Sequence, residues 1–226
     1  MTTEKREQST LLTESTLVVH GSPGVLMTQI AKRLADADSI PTNVVFDGHG
    51  RRLGAAQPVQ RSTARKLGRL AAMWIVPEGL APASVAYALE VLDAQHVKVL
   101  ELKVTGGAGK VTVIDAEGRI VGVVDNESEA NASQIDVRFY GPDRAKSNKA
   151  VPLASCIALP VHVEGKSFAV HDAAGRVVAT VTHKQSHVHR IELEDHVADP
   201  LRTLLVAFAC SLVAPEWLKP TSMDFG

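Results

Sequence analysis

Aromatic side chains are scarce in this chain of 226 residues, at 4% of the total. Its core must therefore be built mostly from Val, Leu, Ile and Ala. Cysteine is nearly absent, with Cys156 and Cys210 both in apolar company. This excludes a disulfide scaffold, and both are expected as reduced thiols that behave as small hydrophobes. Neither sign of charge predominates: 24 Lys and Arg against 25 Asp and Glu leave −1, so no nucleic-acid partner is expected. Long apolar runs are also missing. The most apolar stretch, 201–214, spans roughly 21 Å as a helix, short of a bilayer core, and carries Arg202. It reads as a buried core helix, and no transmembrane segment is expected. Residues 1–16 are polar and mixed in charge, with no apolar core of a signal peptide. A cytoplasmic location follows as the default, and the sequons at Asn126 and Asn131 carry no weight. What is present is ordinary for a globular chain: 45% hydrophobic and 22% charged residues, enough for one compact core.

One local pattern recurs. Val45-Phe-Asp47-Gly-His-Gly50-Arg51, Val113-Ile-Asp115-Ala-Glu-Gly118-Arg119 and Val170-His-Asp172-Ala-Ala-Gly175-Arg176 each read as strand, D-x-x-G-R turn, strand. The Asp side chain accepts hydrogen bonds from turn amides, and Gly takes the positive φ of a type I turn with a bulge. A weaker fourth copy around Asp93 lacks the glycine. Alternating apolar residues flank the turns, and further strands are expected at 99–104, 134–140, 156–163 and 188–194. A chain of successive hairpins ending in one apolar helix predicts a mainly β fold: a closed antiparallel β-barrel around a buried C-terminal α-helix.

The order of these segments is similar to one family. LVV at 17–19, VVFDGHGRRLG at 44–54, RSTARKLGRL at 61–70, VTVIDAEGRIVG at 111–122, FAVHDAAGRVVATV at 168–181 and ADPLRTLLVAFACSL at 198–212 together resemble bacterial phospholipid-scramblase-like proteins. These belong with LURP-one-related and tubby C-terminal-like domains. The resemblance implies a barrel of about twelve strands enclosing the C-terminal helix. The expected organisation is a disordered tail at 1–16, one barrel domain at 17–215 with its helix at about 199–213, and a loose end at 216–226.

From Gly48 to Pro77 there is no Asp or Glu, but there are six basic residues. Leu67, Leu70, Ala71 and Trp74 would form the apolar face of a helix, with Arg61, Arg65 and Arg69 in one stripe beside Lys66. Such a basic amphipathic helix ending in Trp has the form of a membrane-surface anchor for anionic phospholipid. The plainer reading is a helix docked on the barrel with its arginines in water. The expected function is thus a non-catalytic, scramblase-like lipid-binding barrel, cytoplasmic or peripheral to the inner membrane face.

Histidines gather near the end of the chain. His187 and His189 would share one strand face with His183 close by, a spacing that suits a metal, with Glu192, Glu194 and Asp195 nearby. This supplies the alternative function, a metal-binding module or metal-dependent enzyme; the plainer reading is surface histidines on edge strands. The stretch IELEDHVADP before the last helix lacks the alternating ligands and glycine of a calcium loop, which argues against calcium dependence. Gly21-Ser-Pro-Gly24 has no Gly-Lys-Ser/Thr, and no serine sits in a G-x-S-x-G elbow. No catalytic residue and no cofactor are expected, and Arg51, Arg119 and Arg176 are expected to be solvated turn residues. A protein–protein scaffold remains a third reading.

Overall fold

The computed structural model describes residues 9–21, 43–59, 87–105, 110–128, 135–145, 147, 149–158, 165–185 and 188–211. Twelve strands follow one another in chain order: β1 (Thr16–His20), β2 (Asn43–Phe46), β3 (Arg52–Pro58), β4 (Tyr87–Asp93), β5 (Lys98–Thr105) and β6 (Lys110–Asp115), then β7 (Ile120–Asn126), β8 (Ile135–Tyr140), β9 (Ala154–Ala158), β10 (Ser167–Asp172), β11 (Val177–Gln185) and β12 (Val188–Leu193). A short helix, α1 (Thr10–Thr13), precedes them and an eleven-residue helix, α2 (Leu201–Ser211), ends the described chain. Every strand pairs antiparallel with its neighbours in sequence, and β12 closes on β1. The result is an up-and-down barrel without a free edge, as the hairpin pattern predicted.

The repeated turns behave as their residues dictate. In the β2–β3, β6–β7 and β10–β11 hairpins, one oxygen of Asp47, Asp115 or Asp172 accepts the amides two and four residues on. Gly50, Gly118 and Gly175 all have φ near +80°. A register shift marks the bulge beside each turn. The fourth copy makes the same turn between β4 and β5. Asp93 accepts the amides of Gln95 and Val97, and His96 takes the glycine's place at φ 62°.

All four turns connect an even strand to the next odd one, so they lie at the same end, here called the turn end. The connections from odd strands to even ones lie at the far end. The helix α2 enters the lumen from the turn end, where the Thr203 hydroxyl donates to the Asp199 carboxylate at 2.7 Å. From Leu204 to Ser211 every residue is buried. Phe208 meets Phe139 of the wall edge to face at 5.3 Å. At the far end the Asn43 carboxamide nitrogen donates to the Cys210 carbonyl at 2.7 Å, anchoring the last described turn of the helix. The wall facing inward is apolar: Leu17, Val19, Val45, Leu102, Val113, Val137, Val170 and Ile191 are fully buried or nearly so. The outward face carries ion pairs instead, such as Arg138–Asp136, Lys98–Glu101 and Arg190–Glu192. A barrel that spanned lipid with its strands would show the opposite distribution, apolar outside and polar within.

The packed chain begins before residue 17, where the sequence pattern had suggested a loose tail up to 16. Leu11 is fully buried beneath α1, and Arg202 at the start of α2 donates to the carbonyls of Leu12, Thr13 and Glu14. Two leucines in a polar segment give no periodicity to read. Leu11 is buried and Leu12 partly so, and the residue that bonds to this segment, Arg202, lies 190 residues from Leu12 along the chain.

Candidate functional site

The basic residues Arg61, Arg65, Lys66 and Arg69, with Trp74, lie outside the described residues. The strands on either side of them are described. β3 ends and β4 begins at the far end, tied there by the Val59 amide donating to the Ala88 carbonyl at 3.0 Å. The connection that carries the basic stretch is therefore fastened to the end opposite the turns. The turn end carries both signs: Asp47, Asp93, Asp115 and Asp172 of the turns, with Glu194, Asp195 and Asp199 before α2, lie among Arg51, Arg119 and Arg176.

The turn arginines stay with their own turns. Arg51, Arg119 and Arg176 are largely solvent-exposed, and each donates from Nε to the second oxygen of its turn aspartate at 3.0, 2.7 and 2.8 Å. Burial pushes the Asp47 and Asp115 carboxyls up, but turn amides and the adjacent guanidinium outweigh it and hold both below the usual carboxylate range. At Asp172 the Arg176 amide is the largest influence and lowers it further. These pairs fix hairpins; their cations are already matched with anions.

His183 and His189 depart from the plainer sequence reading of surface histidines on edge strands. A closed barrel has no edge strand, and both imidazoles are completely buried. They are register partners: Ala179 faces Leu193, Val181 faces Ile191 and His183 faces His189 along the inward side of β11 and β12. Their Nδ1 atoms lie 2.7 Å apart, with ring centroids 4.7 Å apart and planes at 80°. Phe168 packs against His183 at 5.7 Å between centroids. The structure thus brings together 183 and 189, whereas His187 lies outside the described residues. Glu192 is spent on Arg190 on the outer wall, and Glu194 and Asp195 are exposed at the turn end, away from the imidazoles. Among the described residues, no three His, Cys, Asp or Glu side chains are grouped to hold a metal.

The thiols offer no nucleophile. Burial pushes Cys156 and Cys210 up to about 12, so both stay protonated at neutral pH. A cleft of about 540 Å³ lies at the turn end, bordered by Ser9, Leu12, Lys98, Asp115, Pro200 and Thr203. Sequence reasoning missed it because α1 forms one side. Its charges are largely self-matched, Lys98 with Glu101 and Asp115 with Arg119.

No helix among the described residues is long and apolar enough to cross a membrane. No protein-family profile matches the chain, and no curated protein matches it. Among solved structures, an Arabidopsis thaliana protein known from an X-ray structure superposes with a TM-score of 0.44 at 10% identity. The match covers 86% of this chain and 90% of that one.

Proposed function

We propose that this chain is a non-catalytic barrel protein of the scramblase-like, LURP-one-related kind that binds anionic phospholipid at a membrane surface. Arg61, Arg65, Lys66 and Arg69 would meet the headgroups, with Trp74 as interfacial anchor. The observation that carries this reading is the run of six basic residues without an acid between Gly48 and Pro77, most of it in the connection fastened to the far end. The turn arginines, by contrast, are already matched by their own aspartates. Anionic headgroups attract each nearby basic residue by about 1 kcal/mol. The filled lumen supports binding at the surface rather than inside. With α2 packed from Leu204 to Ser211, no acyl chain has room along the barrel axis. The same packing speaks against lipid scrambling, which needs a polar path through the bilayer. The cytoplasm or the inner membrane face is the compartment this reading favours.

Flotation with neutral and anionic vesicles, at low and physiological salt and with and without calcium, tests the proposal. The expected result is calcium-independent binding to anionic vesicles alone, weakened by salt and by replacing Arg61, Arg65 and Arg69 together with Gln. Binding that ignores vesicle charge, or that survives the triple replacement unchanged, would refute the assignment to this segment. Absence of binding in every condition would refute lipid binding altogether.

A further inference from the structure

Two imidazoles set in an apolar wall need a reason to be there. The inward row around them is Val19, Phe168, Val181 and Ile191, all buried, and His189 stands opposite both His183 and Val19 in the strand register. The two rings meet at Nδ1, 2.7 Å apart. One ring donates and the other accepts, so the bond needs one Nδ1 with a proton and one without. A first extra proton enters at Nε2 of the donating ring and leaves the bond intact. A second puts hydrogen on both Nδ1 atoms, which breaks the bond and sets two cations against each other. The contact is therefore a joint between β11 and β12 whose strength depends on how many protons the pair holds.

The charged and titratable groups on the elements packed around the pair point elsewhere. Lys166, just before β10, and His171 within it are exposed, and Asp172 is bound in its turn by Arg176. Lys184 of β11 and His20 of β1 are exposed as well. Arg190 and Glu192 of β12 pair with each other on the outer wall. In α2, Arg202 sits at the turn end, and the Cys210 thiol, pushed up to about 12 by burial, stays neutral. The buried carboxylates among the described residues, Asp47 and Asp125, are bonded to Arg51 and Arg144. Burial in this wall disfavours a charged imidazole relative to one in water.

We propose that the His183–His189 bond is a pH-sensitive latch on the β11–β12 hairpin, closed at neutral pH and released by proton uptake under mildly acidic conditions. Released histidines in water take up protons near the ordinary value of about 6.5. The buried pair takes them up less readily, so the latch contributes fully above that value and is lost as pH falls below it. This window lies above the one in which the turn aspartates take up their protons. Release starts at the far end, where the register shift between His183 and Gln185 already interrupts the ladder. The latch acts whether or not the barrel binds lipid.

Hydrogen exchange of the full chain, corrected for the intrinsic pH dependence of amide chemistry, reads the opening directly. Between about pH 7.5 and 5.5 the opening constant of the β11–β12 amides should rise at least about tenfold, the value for one proton taken up on opening, and about hundredfold for two. Amides of β5 and β6, across the barrel, should change less. Replacing His183 and His189 together by Leu should abolish the rise, whereas His171→Gln, whose side chain is exposed, should keep it. If the double variant fails to fold, histidine nitrogen NMR of the wild-type chain decides. Two of the nine imidazoles should then stay neutral at about pH 6 while exposed ones become charged. A smaller rise, the same rise in the double variant, or an equal rise in β5 and β6 overturns the latch. So do nine imidazoles that all titrate near the ordinary value in the folded chain.

Discussion

Arg202 donates from Nε to the carbonyl oxygen of Leu12 at 2.8 Å, and its Nη2 reaches the carbonyls of Thr13 and Glu14 at 2.6 and 2.9 Å. One guanidinium in the first turn of α2 thus closes the end of α1, whose last carbonyls have no partner within so short a helix. Leu11, fully buried, precedes the three carbonyls that accept these bonds. Arg202→Met keeps the aliphatic stem and removes all three bonds. We expect a loss of about 2 kcal/mol, near the lower range for several bonds to a charged donor. For a chain of this length that lowers the melting temperature by roughly 4–8 °C. Hydrogen exchange should show the loss of protection starting at Leu12 and Glu14, whose amides bond within α1. A variant that melts like the wild type, with those amides still protected, would show that α1 docks without Arg202.

Gly122 separates two roles of glycine in the repeat. A Cβ there would stand 2.2 Å from the Tyr140 carbonyl oxygen and 3.1 Å from both methyls of Leu204 on α2. Backbone cannot swing aside as a side chain does, so Gly122→Ala must shift β7 against β8 or against the helix. At Gly118 the added Cβ meets nothing within 4 Å, and the only cost is its φ of +84°. His96 holds the equivalent place in the fourth turn at φ 62°, which shows that the conformation tolerates a side chain. Gly118→Ala is expected to cost about 1 kcal/mol. Gly122→Ala is expected to cost at least about 3 kcal/mol, the upper part of the range for overpacking. Urea unfolding of both variants checks the order, and a Gly118 variant less stable than the Gly122 variant contradicts it.

The hairpins were readable because each turn carries its own instructions. Asp47, Asp115 and Asp172 bond to amides within four residues, so the pattern is complete in a short window of sequence. The terminal helix was readable for a similar reason, its apolar run being too short for a membrane and too apolar for a surface. What depends on register was not readable. Along one strand, His187 and His189 look like the pair; across strands, His189 faces His183, in the same register that sets Ala179 against Leu193 and Val181 against Ile191. The docking of Leu11 was hidden for a related reason, because its partner Arg202 is remote in sequence. The fourth turn was harder to recognise because His96 stands where the others have glycine, although Asp93 makes the same bonds.

The turn aspartates make stability depend on acid in a stated direction. Asp47, Asp115 and Asp172 are all held below the ordinary carboxylate range in the folded chain. A depressed folded value means the unfolded chain takes up protons first as pH falls. The contribution is therefore complete above the ordinary carboxylate value near 4, and is lost as pH drops through the lower folded values. Melting temperature should be nearly level from neutrality to about pH 5 as far as these groups are concerned, then fall. Asp115→Asn keeps an oxygen for the amides of Glu117 and Arg119 but removes the charge that pairs with the Arg119 guanidinium at 2.7 Å. Because this pair is largely in contact with solvent, its loss is worth no more than about 1 kcal/mol, or roughly 2–4 °C near neutral pH. The two proteins should converge as pH falls through the depressed folded value of Asp115, where the wild-type carboxyl takes up its proton as well. A difference between them that stays constant from pH 7 to 2 would mean that hydrogen-bond geometry, not charge, sets the role of Asp115.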